Sequence, residues 1–197
     1  MAAMLAHAAL MLSIVVRLYD AQGISSATLA TARATVDRIL HDAGIAVTWA
    51  EPPYATRVDN DLIVRIVKAP AIGDADSLGF SYVDVEERRG TLATIFADRI
   101  AALGRAAGTD EGELLGRAMA HEIGHLLLGT RQHAAAGLMR GKWSSRELTR
   151  NRPTDWQLSS GDAASARQAV VRRLPAPERP GILIAGVEVD KKALSAP

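Results

Sequence analysis

The sequence predicts an α/β fold of the α+β kind, a mixed five-stranded sheet with helices packed on it. Three observations lead there. Short segments alternate apolar and polar residues with the period of a strand, and longer ones repeat with the period of a helix. Their order is strand, helix, several strands, helix. The chain has 197 residues, 48% of them hydrophobic, which is enough for one good core.

The first strand is Ser13 to Tyr19, with Ile14, Val16 and Leu18 on one face and Arg17 and Tyr19 on the other. Gln22-Gly23 turns the chain. Ser25 or Ser26 can cap a helix to about Ala43, with Leu29, Ala32, Val36 and Ile39 as its buried stripe and Gly44 as its stop. Ile45, Val47 and Trp49 alternate as a second strand, ended by Pro52-Pro53. The β-branched run Asp61 to Lys68 is a third, followed by a Gly/Asp/Pro-rich loop from Ala69 to Asp76. Leu78 to Val85 is a fourth, less apolar strand, Glu86 to Gly90 a charged turn, and Thr91 to Ala97 a fifth strand leading into a helix to about Ala107. After Gly108-Thr109, Asp110 with Glu113 resembles a capping box, and a helix runs to Leu128 and stops at Gly129. Ser159 to Leu174 is a last helix, Pro175 to Pro180 a linker, and Gly181 to Asp190 an extra strand. The expected organisation is a sheet-and-helix subdomain over 1–133, a smaller one over 134–174, and a tail over 175–197.

Composition excludes several classes of function. A net charge of +1, without a dense Lys/Arg run, gives no reason to expect nucleic acid or an anionic membrane as partner. With no cysteine there is no disulfide, thiolate metal site, iron–sulfur cluster or cysteine nucleophile, so any transition metal is held by His and carboxylates. No segment reaches the ~18 apolar residues of a membrane span. Met1 to Val16 begins as an export signal does, but no Lys or Arg precedes its apolar run and Arg17 interrupts it. A first core strand with a short leader is the favoured reading. The compartment stays open, with a secreted or periplasmic location slightly favoured over the cytoplasm, and a monomer is expected.

The chemistry lies in Ala120-His121-Glu122-Ile123-Gly124-His125, an H-E-x-x-H pattern on a predicted helix. Positions four apart share a helix face, so both imidazoles can reach one Zn²⁺ at ~2.0–2.1 Å. Glu122, one step round, sits beside the metal as a base. Leu115, Met119, Ile123 and Leu126 form an apolar stripe, which sets His121 and His125 on a different stripe with Arg117 and Leu128. Three of the five histidines fall between 121 and 133; His7 and His41 read as leader and helix surface. A catalytic zinc needs a third protein ligand and an open position. His133 is the first candidate, since Gly129 lets the chain fold back. Glu147, in the polar helical stretch Ser144 to Arg150, is the second; as a mere surface residue it would pair with Arg146 or Arg150. Asp155 is a weaker third candidate.

The stretch from His121 to Met139 resembles the metzincin metallopeptidases, whose signature is H-E-x-x-H-x-x-G-x-x-H followed by a Met-turn. Here the glycine, Gly129, is one position late and the histidine, His133, two; Gly137-Leu138-Met139-Arg140 looks like the Met-turn. No Tyr follows Met139, the nearest aromatic being Trp143. The broader resemblance covers roughly Ile14 to Trp143. It implies a mostly parallel sheet with an N-terminal helix, an active-site helix and an irregular, helical C-terminal subdomain. It also implies a zinc endopeptidase with His121, His125 and His133 as ligands, Glu122 as general base and Met139 beneath the metal. A peptide or protein substrate would lie along the edge strand, where Gly79 and Ser81 leave the backbone accessible. The gluzincin arrangement, with Glu147 as third ligand, is an alternative. A zinc hydrolase acting on another amide and an inactive metal-binding or interaction protein on the same scaffold are the competing functions. A cysteine-switch latency mechanism is impossible.

Overall fold

A computed structural model describes residues 11–50, 60–71 and 76–174. The predicted leader with His7, the Pro52-Pro53 strand end, part of the loop before Asp76, the linker and the tail strand lie outside the described residues. The described elements are β1 (Leu12–Asp20), α1 (Ser26–Asp42), β2 (Ile45–Ala50), β3 (Leu62–Val67), β4 (Gly79–Asp84), β5 (Arg89–Phe96), α2 (Ala97–Ala107), α3 (Glu111–Leu128), α4 (Ser145–Arg150), a 3₁₀ turn (Pro153–Trp156) and α5 (Ser160–Arg173). The five strands form one sheet in the order β2-β1-β3-β5-β4, parallel except for β4, which runs antiparallel to β5 at the sheet edge. The fold is thus the mixed α/β architecture that the patterning predicts, and the sheet is mostly parallel, as the resemblance implies.

Alternation sets the faces of the sheet. Register pairs Val16 with Leu62, Leu18 with Val64, Val64 with Ala93 and Ile66 with Ile95, so these buried side chains share one face. The helices cover that face: α1 and α3 pack against each other, α1 reaching β2 while α3 crosses β3, β5 and β4. Each fully buried Leu or Ile side chain there contributes roughly 1.5–3 kcal/mol. The same register pairs Gly79 with Ile95 and Ser81 with Ala93. Gly79 and Ser81 therefore face α3, and Phe80 and Tyr82 face the other way.

The helix ends follow their residues. Ser25 caps α1 by accepting from the Thr28 N–H. Asp110 caps α3 through the Glu113 N–H, but only half of the predicted box forms, because the Glu113 carboxylate turns to Arg117 at 2.5 Å. The full box lies at α4, between Ser144 and Glu147. α3 stops at Gly129 (φ +62), where a Cβ would come within 2.2 Å of the Arg88 carbonyl carbon. That contact sits at the β4–β5 turn, which closes two residues earlier than predicted because Arg89 already pairs with Asp84 in the sheet.

The predicted core stripe of Leu115, Met119, Ile123 and Leu126 is buried, and the histidine stripe is buried with it: Gly112 and Leu114 to Leu127 all lie inside. The reason is its central position, with α1, α2, α5 and the sheet all packed against it. His41 is exposed on α1, as predicted. α5 packs on α3 and β1 through residues such as Ala166 and Val170. Its Arg173 donates to the carbonyls of Leu126 (2.9 Å) and Gly90 (2.7 Å), tying the end of α3 to the start of β5. Burial pulls that guanidinium down to about 10, which leaves it charged at neutral pH. Among the described residues no helix is long and apolar enough to cross a membrane.

The α1–α3 crossing depends on the absence of side chains at Gly112 and Gly116. A Cβ at Gly116 would lie 2.5 Å from the Ala32 carbonyl oxygen and 2.6 Å from Thr35 Cβ. Gly116→Ala is expected to destabilise the fold by about 1–3 kcal/mol through overpacking, despite alanine's advantage of ~1 kcal/mol in a helix interior. A denaturant midpoint at or above that of the wild type would contradict this.

Candidate metal centre

Successive elements aim three imidazoles at one point. His121 and His125 lie one turn apart on α3. His133 comes from the exposed loop after Gly129, whose left-handed conformation turns the chain back. The Nε2 atoms of His125 and His121 are 3.1 Å apart, and those of His125 and His133 3.2 Å. One ligand nitrogen from each of the three residues lies within 4.8 Å of the others. Ligands at the corners of a zinc tetrahedron with ~2.05 Å bonds are separated by about 3.3 Å. The separations from His125 to His121 and to His133 fit that ion.

The hydrogen bonds behind the rings settle the chemistry of these nitrogens. His121 Nδ1 is 2.8 Å from the Leu138 carbonyl and His125 Nδ1 2.8 Å from the Thr130 carbonyl. A carbonyl only accepts, so each Nδ1 carries the proton and each Nε2 presents a lone pair. Burial lowers the pKa of His121 to about 4 and lowers that of His125 as well, so both rings are neutral donors in neutral solution. Lone pairs 3.1 Å apart repel unless a cation or a shared proton lies between them. The donor set, three imidazoles without a thiolate, suits a divalent metal of the zinc type with a position left for another ligand.

Glu122 stands beside this group and is not part of it. Burial raises its carboxyl pKa to about 7, opposed by a hydrogen bond from Ser81. The Ser81 hydroxyl lies 2.6 Å from Glu122 Oε2 and 2.9 Å from the Glu122 carbonyl oxygen. Gly79 clears the space next to it, since a Cβ there would meet the Thr94 carbonyl oxygen at 2.5 Å and Glu122 Cγ at 3.4 Å. The sequence reading treats Gly79 and Ser81 as accessible backbone and misses this side-chain contact; the alternation with Phe80 and Tyr82 was the available signal.

The turn over Gly137 to Arg140 lies under the site. Gly137 adopts φ +74, Leu138 N–H donates to the Gln157 carbonyl at 2.8 Å, and Ala134 N–H to the Met139 carbonyl at 2.8 Å. Met139 is 2% exposed and packs where a Cβ on Gly124 would lie 2.5 Å from its sulfur. Glu147 is not with the histidines. Its carboxylate caps α4 through the Ser144 N–H at 2.9 Å and hydroxyl at 2.7 Å, and it pairs with Arg140 at 3.3 Å, not with Arg146 or Arg150. Asp155 pairs with Arg150 at 2.9 Å.

Two cavities meet at the centre. One of about 620 Å³ lies between α2 and the segment after Met139, with Arg99, Leu103, Lys142 and Trp143 in its wall. The other, about 230 Å³, is lined by β4 and by Thr130 and Arg131. Gly79, Glu122 and His133 border both.

No protein-family model matches this chain, and no curated protein does. Among solved structures it is similar to high choriolytic enzyme 1, a hatching enzyme zinc-protease from Oryzias latipes (medaka fish), at a TM-score of 0.33 and 16% identity. That match covers 62% of this chain and 46% of the other, so the chain spans less than half of it.

The geometry predicts that the purified protein binds one zinc per chain and melts at a higher temperature with it. His133→Ala is expected to weaken zinc affinity at least tenfold, while Glu147→Ala leaves it unchanged. Calorimetric titration with zinc checks both. Loss of affinity on Glu147→Ala with none on His133→Ala would reassign the third ligand.

Proposed function

We propose that the protein is a zinc-dependent peptidase that cleaves peptide bonds within extended chains. One observation carries this reading: three converging imidazole nitrogens stand beside a buried carboxylate that is not itself among the ligands. A purely structural metal site has no use for such a carboxylate.

Zinc, when bound, supplies a Lewis acid that acidifies water and polarises a carbonyl. The protein's own groups do the rest. His121, His125 and His133 hold the ion, with the Leu138 and Thr130 carbonyls fixing the first two rings in the required tautomer. Glu122 takes the proton of the attacking water at its carboxylate and returns it to the departing amine. Its raised pKa suits a group that must do both near neutral pH. Met139 packs against α3 at Gly124, beside the Leu138 carbonyl that holds the ring of His121, and shapes the floor of the site.

The cavities on either side of Glu122 and His133 support an extended substrate running through the centre rather than a small amide held in one pocket. β4 offers its free edge for main-chain pairing with that substrate, as in the metzincin arrangement. Gly79 and Ser81 would take part through their backbone, since their side chains face α3.

Glu122→Gln separates catalysis from metal binding. Zinc stoichiometry is expected to stay at the wild-type value while hydrolysis of a quenched-fluorescent peptide falls about 10²–10⁴-fold. Loss of zinc together with activity would make Glu122 a ligand. A zinc-loaded wild type that cleaves no member of a diverse peptide library would leave a binding protein on this scaffold.

A further inference from the structure

We infer that Ser81 is a positioning residue for Glu122. The edge strand β4 thereby holds the catalytic carboxylate as well as bordering the substrate cleft. The inference rests on the peptidase reading and deepens it.

The placement follows from the strand. Residues two apart in β4 point the same way, so Gly79 and Ser81 both face α3 at the level of Glu122. Gly79 leaves room for the Glu122 side chain, and Ser81 supplies a hydroxyl to it. The antiparallel pairing of Ser81 with Ala93 fixes that hydroxyl to the central sheet, not to a loop. Among the described residues no other side chain is hydrogen-bonded to the Glu122 carboxylate.

A hydroxyl suits this position better than a cation or an amide. It has one proton to give and lone pairs to receive. When Glu122 is a carboxylate, the Ser81 O–H donates to Oε2 at 2.6 Å. When Glu122 holds the proton taken from water on Oε1, its Oε2 is still an acceptor, and the Ser81 O–H goes on donating to it. The contact survives both halves of the proton shuttle without moving a heavy atom. A lysine or arginine in its place would pin the carboxyl in its charged form, and an alanine would remove its hydrogen-bond partner and leave it free to rotate.

The test uses the full chain loaded with zinc. Ser81→Ala is expected to lower kcat roughly tenfold to hundredfold, the loss of one hydrogen bond to a charged buried group. KM stays within about twofold, and zinc stoichiometry is unchanged. Ser81→Thr keeps the hydroxyl and recovers most of kcat. Ser81→Cys, similar in shape but a weaker donor, serves if the alanine variant does not fold, with an intermediate loss expected. Undiminished kcat in the alanine variant, a loss confined to KM, or no recovery with threonine overturns the inference. A wild type that binds zinc and cleaves no peptide would end the peptidase reading instead. Crystal structures of the zinc-loaded wild type and Ser81→Ala would then decide the positioning role. A Glu122 carboxylate that rotates away in the variant supports it; one in the same place in both overturns it.

Discussion

The burial of α3 on every side is the constraint on which the rest of the structure depends. A helix with one face in water can carry its polar groups there; α3 has no such face. Yet it contains Arg117, His121, Glu122 and His125, each of which would cost several kcal/mol if buried without partners. The partners come from several parts of the chain. Glu113, one turn back on α3, and Asn151 both accept from one nitrogen of the Arg117 guanidinium, which stacks on Trp156. The Leu138 carbonyl takes His121, Ser81 takes Glu122, and Thr130 takes His125. Satisfying a central helix therefore fixes the orientation of the site. The same hydrogen bonds that make burial tolerable set both ring tautomers and the carboxylate.

This ties the segment after Gly129 to the chemistry. Trp156 lies under two guanidinium groups, Arg117 from α3 at 4.0 Å and Arg140 from the turn at 4.8 Å. Arg140 also donates to the Asp155 carbonyl at 3.0 Å and pairs with Glu147. Stacked, partly desolvated contacts of this kind are worth on the order of 1–2 kcal/mol each. They press the turn carrying Leu138 and Met139 onto α3, the turn whose carbonyl holds His121. Glu147, weighed from the sequence as a metal ligand, acts in this clamp. Its acidic side chain anchors the cation next to Met139, and the capping box anchors α4.

Most of the sheet was legible because strand alternation is a local signal. Ile14, Val16 and Leu18 declare their face without reference to any other strand, and the weakly apolar Gly79 to Asp84 declares an edge. The spacing of His121 and His125 was legible for the same reason, helix geometry being local. The environment of those residues was not. Nothing within a few residues of His121 says that a carbonyl seventeen positions on will accept its proton, or that a strand forty residues earlier will meet Glu122. The full burial of α3 was hidden for the same reason: its apolar stripe is a local signal, whereas burial on the remaining faces is decided by what packs from a distance. The pairing of Glu147 with Arg140 rather than with its helix neighbours is a third instance.

The proposed ligands come from two kinds of element. His121 and His125 stand on a buried helix with their Nε2 atoms 3.1 Å apart. That arrangement is unfavourable on its own, since buried neutral rings face each other through unshared pairs, and a cation between them relieves it. His133 sits on an exposed loop, with its Nε2 3.2 Å from that of His125. A metal held by all three would tie α3 to the segment from Thr130 to Arg140, whose Ala134 N–H bonds the Met139 carbonyl. That segment also carries the Leu138 carbonyl and the wall of the larger cavity. Metal binding and the shape of the cleft are then linked through one short stretch of chain, and the lengthened spacing between His125 and His133 sets how much slack that link contains.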